Sequence, residues 1–243
     1  MLQPWRTGKV IRIEQQTAST RRFFIQVPEV DVFDFIPGQF VTLDLPIHEK
    51  VNKRWRSYSI ASNPDGTNIF ELCIVFLEGG LGTTYLFNEI KEGGELTLRG
   101  PVGVFTLPQP IEKDLFLVCT GTGIAPFRSM VKNIITHNIL HKKIHLIFGC
   151  RTKADVLYLD EMNGLMQQDE NFIFHVAYSR EIVDATYAYN GYVHQVYEKL
   201  CAGNNETAAN FYLCGWRGMI DEATKRILDM GYDKKAIHVE IYG

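Results

Sequence analysis

The chain has no Cys-x-x-Cys pair: its five cysteines (Cys73, Cys119, Cys150, Cys201 and Cys214) are scattered and odd in number. That spacing excludes a disulfide framework and argues against a zinc site or an iron–sulfur cluster held by this polypeptide. Buried free thiols in a reducing, cytoplasmic setting are the expectation. Long apolar runs are missing too, with no window near the ~18 residues a membrane span needs. The opening residues Met1-Leu2-Gln3-Pro4-Trp5-Arg6 lack the apolar stretch of a signal peptide. Charge of one sign is scarce: 25 Lys and Arg stand against 28 Asp and Glu, a net −3 with a pI near 6.2. This balance argues against a nucleic-acid or anionic-membrane partner as the main business of the chain. Repeats and low-complexity tracts are absent.

What is present is an ordinary globular composition, 46% hydrophobic and 22% charged, over 243 residues, enough for two domains. The two halves have different rhythms. From Trp5 to Leu107 the apolar segments are short (Phe23–Val27, Phe40–Leu45, Arg56–Ser62, Phe70–Phe76, Glu95–Arg99) and are divided by Pro28, Pro46, Pro64-Asp65-Gly66 and Gly93-Gly94. Short strands at this spacing predict an antiparallel β-barrel, interrupted by one helix over Thr83–Ile90. After Pro108-Gln109-Pro110 continuous apolar runs alternate with helical stretches. Strands are expected at Leu115–Cys119, Ile144–Phe148, Phe172–Tyr178, Phe211–Cys214 and Ile237–Ile241. Helices are expected at Ala125–Asn138, Tyr158–Met166, Val193–Leu200 and Met219–Met230. Alternation of this kind predicts an α/β doubly wound parallel sheet. The expected domains are residues 1–109 and 110–243.

In an open parallel sheet, ligands bind outside the carboxyl ends of the strands. The residues at those ends are Thr120-Gly121-Thr122-Gly123, Gly149-Cys150-Arg151, Ser179-Arg180, Cys214-Gly215 and Tyr242-Gly243. Small, hydroxyl and cationic residues let a backbone approach a phosphate or donate hydrogen bonds to it. Gly121-Thr122-Gly123 leads into a helix whose N-terminus offers free amides; a tight βα turn without a ligand reads the same way in isolation. Ser179-Arg180 suits the 2′-phosphate that separates NADP from NAD, or else a solvated arginine paired with Glu181.

In the first half, alternation along Arg56-Ser57-Tyr58-Ser59-Ile60-Ala61-Ser62 puts Arg56, Tyr58 and Ile60 on one face and Ser57, Ser59 and Ala61 on the other. A guanidinium, an aromatic ring and hydroxyls on one strand suit a ligand with a pyrophosphate and a flat ring; an exposed strand with a cation–π pair is the plainer reading. Gly79-Gly80-Leu81-Gly82-Thr83-Thr84 opens the helix of this half, a second anion-binding arrangement. Two phosphate sites in two domains imply one nucleotide in each.

Arg56-Ser57-Tyr58-Ser59-Ile60-Ala61-Ser62 resembles the Arg-x-Tyr-Ser-x-x-Ser flavin motif of the ferredoxin–NADP reductase family. Pro37-Gly38-Gln39-Phe40, Gly82-Thr83-Thr84, Gly100-Pro101-Val102-Gly103-Val104-Phe105, Gly121-Thr122-Gly123-Ile124-Ala125-Pro126-Phe127, Phe148-Gly149-Cys150-Arg151, Ser179-Arg180 and Cys214-Gly215 follow in the family's order. The resemblance implies a flavin-binding barrel and an NADP-binding α/β domain, with FAD and NADP(H) as cofactors. It implies that Arg56 binds the FAD pyrophosphate with Ser57, Gly82, Thr83 and Thr84, that Tyr58 stacks on the isoalloxazine, and that Ser59 hydrogen-bonds near flavin N5. Gly121, Thr122, Gly123, Arg151, Cys214 and Gly215 would hold the dinucleotide, and Ser179 with Arg180 would read its 2′-phosphate. Ser59, Cys214 and Glu240 would orient the reacting centre. Glu240-Ile241-Tyr242 is similar to the Glu-x-Tyr segment of plant-type members, whose tyrosine covers the flavin, although here Gly243 follows. Tyr187, Tyr189 and Tyr192 all qualify as the adenine-stacking ring.

The resulting expectation is a reductase passing a hydride between NADP(H) and FAD, and single electrons to or from a small carrier, ferredoxin or flavodoxin. Alternatives are the reductase component of a multi-component oxygenase and a flavin- or nucleotide-binding subunit without turnover. Lys50, Lys53, Arg54 and Arg56 form a basic run that either steers an acidic partner or keeps a loop soluble. A monomer or weak dimer is expected.

Overall fold

A computed structural model of the chain describes residues 3–202 and 208–242; Gly243 lies outside the described residues. The backbone divides into two compact units. One holds the residues up to Thr106 together with Ala125–Asn133, and the other holds Leu107–Ile124 and the residues from Ile134 onward.

The first unit contains β1 (Trp5–Thr17), β2 (Thr20–Gln26), β3 (Phe40–Asp44), β4 (Trp55–Ser59), β5 (Ile69–Val75), α1 (Leu81–Asn88) and β6 (Glu95–Val102). The strands are ordered β4-β3-β6-β1-β2-β5, with antiparallel pairing throughout. One bridge, Ile60 to Leu72, and the bond from Ala61 N to Glu71 O (2.8 Å) join the two edge strands and close the sheet. Period-two alternation drives this architecture. Val10, Phe23, Ile25, Val41, Leu43, Phe70, Leu72 and Leu98 are fully buried inside it, while neighbours such as Arg22, Thr97 and Arg99 turn outward. The length of β1 is not apparent in the sequence. Register shifts between Val10 and Arg12 and between Gln15 and Thr17 bend it, so that Lys9 pairs with both Gln26 and Glu95.

The second unit contains β7 (Asp114–Thr120), the ends of α2 (Ile124–Thr136), β8 (Ile144–Cys150), α3 (Leu159–Gln168), β9 (Phe172–Tyr178), β10 (Ala188–Asn190), α4 (Val193–Ala202), β11 (Ala209–Trp216), α5 (Arg217–Asp229) and β12 (Ile237–Tyr242). All of its strands run parallel in the order β10-β9-β8-β7-β11-β12. β7 and β8 are buried at nearly every position, as a sheet covered on both faces requires. Helices α4 and α5 cover one face through Val193, Val196, Tyr197, Ile220, Ala223 and Ile227. The antiparallel barrel and the doubly wound sheet are both as expected. The short strand β10 was not anticipated: its three residues carry no apolar alternation, and a bond between Tyr189 and His175 (3.2 Å) ties it to β9. Among the described residues no helix is long and apolar enough to cross a membrane.

Candidate functional site

The barrel unit brings Arg56 and the start of α1 together. Arg56 lies across Gly82 so closely that a Cβ there would stand 2.9 Å from Arg56 Cγ and 3.2 Å from its Nε. Glycine at position 82 is therefore what lets the guanidinium lie over the helix's first turn, whose leading amides have no intrahelical acceptor. One guanidinium nitrogen of Arg56 donates to the carbonyls of Lys53 (3.0 Å) and Trp55 (2.8 Å), leaving further donors of its five N–H groups for a ligand. Thr83 is occupied in shaping the turn: its hydroxyl accepts from Leu77 N at 3.1 Å and lies 3.2 Å from the carbonyls of Leu77 and Gly80. The Thr84 amide donates to Gly80 O at 2.9 Å. The result is a cationic group beside exposed amides, a donor set that fits a pyrophosphate.

Along β4, Tyr58 packs on the barrel core. Burial pushes its phenol up to about 12, against the pull of the Arg56 charge, so it stays neutral. Ser59 is 4% exposed and pairs with Phe40. Ser57 is on the opposite face from Arg56, with its hydroxyl 3.1 Å from that of Thr42.

In the parallel sheet the strand order reverses direction between β7 and β11, which is where ligands of open α/β sheets bind. Gly121-Thr122-Gly123 forms a 3-10 turn there, between β7 and α2. Gly121 has φ +53° and open space around its missing Cβ, whereas a Cβ on Gly123 would stand 2.5 Å from Cys214 O. The first glycine thus leaves open space, and the second lets the turn pack against β11. Gly215, with φ +144°, faces Thr120: a Cβ there would stand 2.7 Å from Thr120 Oγ1. Thr120 is among the strand-end residues named from the sequence, where it has no role of its own. Its hydroxyl is buried without a hydrogen-bond partner, and its methyl meets the missing Cβ of Gly149 at 3.0 Å. Trp216 was missed; it is 55% exposed next to Gly215, and no sequence pattern marks it.

Cys214 lies in register with Cys119 on one side and Glu240 on the other, and Trp216 with Tyr242. Burial first, then the Glu240 charge and Cys119, hold the Cys214 thiol well above its ordinary range. Cys214 is therefore a neutral thiol, unsuited to act as a nucleophile.

The ends of β8 and β9 are tied by Ser179 N to Cys150 O (3.0 Å), Ser179 Oγ to Cys150 O (3.1 Å) and Arg180 N to Arg151 O (2.9 Å). This zipper puts two exposed arginines, Arg151 and Arg180, side by side. Glu181, the alternative partner for Arg180, accepts instead from Lys153 N at 2.7 Å. Of the three tyrosines, Tyr189 is bonded to His175 and packs on the core. Tyr187 (43% exposed) and Tyr192 (67%) keep open rings.

The model of the oxidoreductase FAD-binding domain matches residues 7–107, and that of the oxidoreductase NAD-binding domain matches residues 117–225. The chain is 28% identical over 240 residues to a ferredoxin–NADP reductase B of Sorangium cellulosum, covering 97% of this chain and 96% of that protein. It is 30% identical over 250 residues to the glycine betaine monooxygenase reductase subunit of Pseudomonas aeruginosa, covering 99% of this chain but 66% of that protein. Its fold is that of a ferredoxin NADP+ reductase from Neisseria gonorrhoeae solved with bound FAD and NADP, with a TM-score of 0.81 at 24% identity over 98% of both chains. The chain belongs to the ferredoxin–NADP reductase family of FAD- and nicotinamide-dependent oxidoreductases.

Proposed function

We propose that this protein is an NADP(H)-dependent flavoprotein reductase serving a small one-electron carrier of the ferredoxin or flavodoxin type, in a reducing, cytoplasmic setting. The single observation that carries the choice of NADP over NAD is the Arg151–Arg180 pair. Two exposed guanidiniums on adjoining strand ends, with Glu181 accepting from the Lys153 amide, suit a 2′-phosphate.

What bound FAD supplies is exchange between a two-electron hydride and single electrons, chemistry no side chain here offers. The chain's own residues bind and orient. Arg56 and the first amides of α1 hold the pyrophosphate of FAD, while Tyr58, kept neutral by burial, presents a ring face. Ser59 has its main chain held by the pairing with Phe40 on β3. Gly121, Thr122, Gly123 and Gly215 let the dinucleotide approach the main chain. Cys214 stays protonated beside Glu240, forming a polar but unreactive wall at the strand ends. Tyr242, in register with Trp216 on the neighbouring strand, stands at the same strand ends. All five cysteines are free, and among the described residues no cluster of His, Cys, Asp or Glu suits a metal.

The likeness to an oxygenase reductase subunit favours a second reading, in which the acceptor is a component of a multi-component oxygenase. Anaerobic assays with NADPH and a panel of purified carriers separate the two. Rapid reduction of a ferredoxin or flavodoxin supports the first reading. Reduction confined to an oxygenase component supports the second, and no reduction of any acceptor, artificial ones included, refutes both.

A further inference from the structure

We propose that Arg128, on helix α2, is a positioning residue for the flavin site: it fixes the β4–β5 seam of the barrel and acts on Tyr58 and Ser59 through Ala61 and Glu71, without touching the cofactor. The proposal rests on the reading of β4 as the flavin strand.

A barrel joined at its edges by one bridge, Ile60 to Leu72, is weakly determined at that point. Main-chain ties there are few: Ala61 N donates to Glu71 O at 2.8 Å, and Glu71 N donates to Ser62 Oγ at 3.0 Å. Into this seam Arg128 places one guanidinium nitrogen, 2.7 Å from Ala61 O and 3.0 Å from Glu71 Oε2. Glu71 is gripped from its other side by Arg22, with Nε to Oε1 at 2.8 Å and Nη2 to Oε2 at 2.9 Å. Arg22 in turn reaches Glu14 at 2.7 Å. Two guanidiniums thus converge on the Glu71 carboxylate.

The side chains of Arg128 and Glu71 are each 3% exposed. Apolar residues of the same volume often serve stability as well as a buried ion pair does, so this pair is assigned to fixing the geometry of the seam. Both contacts are made by one nitrogen, Nη1, which stands one bond farther from the main chain than a lysine ammonium would, so a lysine there falls short of serving the carbonyl and the carboxylate together. The helix segment carrying it is seated firmly in the same unit. Phe127 lies 5.8 Å from Phe105, centroid to centroid, and Met130 fills the space beside Gly38. Ala61 is two residues past Ser59, so the orientation of its peptide sets how Tyr58 and Ser59 are presented.

The test compares wild type, Arg128→Lys, Arg128→Met and the double variant Glu71→Gln/Arg128→Met, reading melting temperature, FAD dissociation constant, flavin absorption spectrum and midpoint potential. Lysine retains the ion pair with Glu71 but cannot also reach Ala61 O. Arg128→Lys is therefore expected to melt with wild type while its flavin spectrum and potential shift, and its FAD affinity falls about tenfold (about 1.4 kcal/mol). A lysine variant matching wild type in all flavin readouts overturns the proposal. Should Arg128→Met fail to fold, the double variant removes the unpaired carboxylate and restores the fold. It supports the proposal if its flavin readouts are displaced and overturns it if they are those of wild type. A wild-type protein that takes up no FAD overturns the flavin assignment itself, and the proposal with it.

Discussion

Replacing Gly123 with alanine tests the switch-point geometry with one methyl group. That methyl would stand 2.5 Å from Cys214 O, 2.9 Å from Cys214 C and 3.2 Å from Gly215 N, where carbon contacts normally settle at about 3.5–4.0 Å. The atoms it meets are main chain of β11, held between β7 and β12, so they cannot swing aside as a side chain would. Overpacking of this kind costs about 1–3 kcal/mol, and contact with an immobile carbonyl puts it at the upper end. At about 2–4 °C per kcal/mol for a domain of this size, the melting temperature falls by roughly 6–12 °C. Any relief of the clash parts β11 from the Gly121–Gly123 turn, so affinity for NADP+ falls with stability. Gly218→Ala is the control. Nothing lies within 4 Å of its added methyl, and its place in α5 makes alanine favourable by about 0.5–1 kcal/mol. Scanning fluorimetry with an NADP+ titration reads both variants. A Gly123→Ala protein that melts with wild type and binds NADP+ equally refutes the close-packing argument.

Other outcomes follow from the same geometry. Arg180→Ala should raise the KM for NADPH about 10–100-fold, the range of a lost charged hydrogen bond, and leave NADH nearly unchanged; equal losses with both would assign Arg180 another role. Arg56→Ala should weaken FAD binding by a similar factor in an equilibrium titration, and unchanged affinity would remove Arg56 from the pyrophosphate site. The buried His145–His175 pair, 3.1 Å apart, makes the parallel-sheet unit acid-sensitive. Burial, reinforced by His145, lowers His175 to about 3, and burial also lowers His145 despite Asp114. Below about pH 6.5 the unfolded chain takes up protons that the folded one refuses. Stability is therefore full above that pH and falls below it, by about 2 kcal/mol from His175 at pH 5. His175→Gln should flatten the fall in denaturant midpoint between pH 6.5 and 5, and an unaltered slope would contradict this.

The parallel strands were the most legible part of the sequence, because burial on both faces writes them as apolar runs: Phe172–Tyr178 matches β9 to the residue. The turns at the ends of β7 and β11 were legible because Gly121, Gly123 and Gly215 mark close main-chain approaches there. What pairing alone decides was not legible. The bends that make β1 a 13-residue strand leave no local pattern. Glu71 stands within the run Phe70–Val75 and Arg128 within an amphipathic helix, and each reads as a surface charge until the seam brings them together. Thr120 shows the same limit, since its isolation depends on glycines contributed by two other strands. The tyrosine choice narrows only once His175 is seen to hold Tyr189.

The most direct test of the account is anaerobic stopped-flow absorbance of the FAD-reconstituted protein mixed with NADPH or NADH. A yellow protein with one FAD per chain, bleached far faster by NADPH, is the predicted result. Failure to take up FAD, or a bound flavin that neither nucleotide bleaches, would contradict the assignment of the two nucleotide sites.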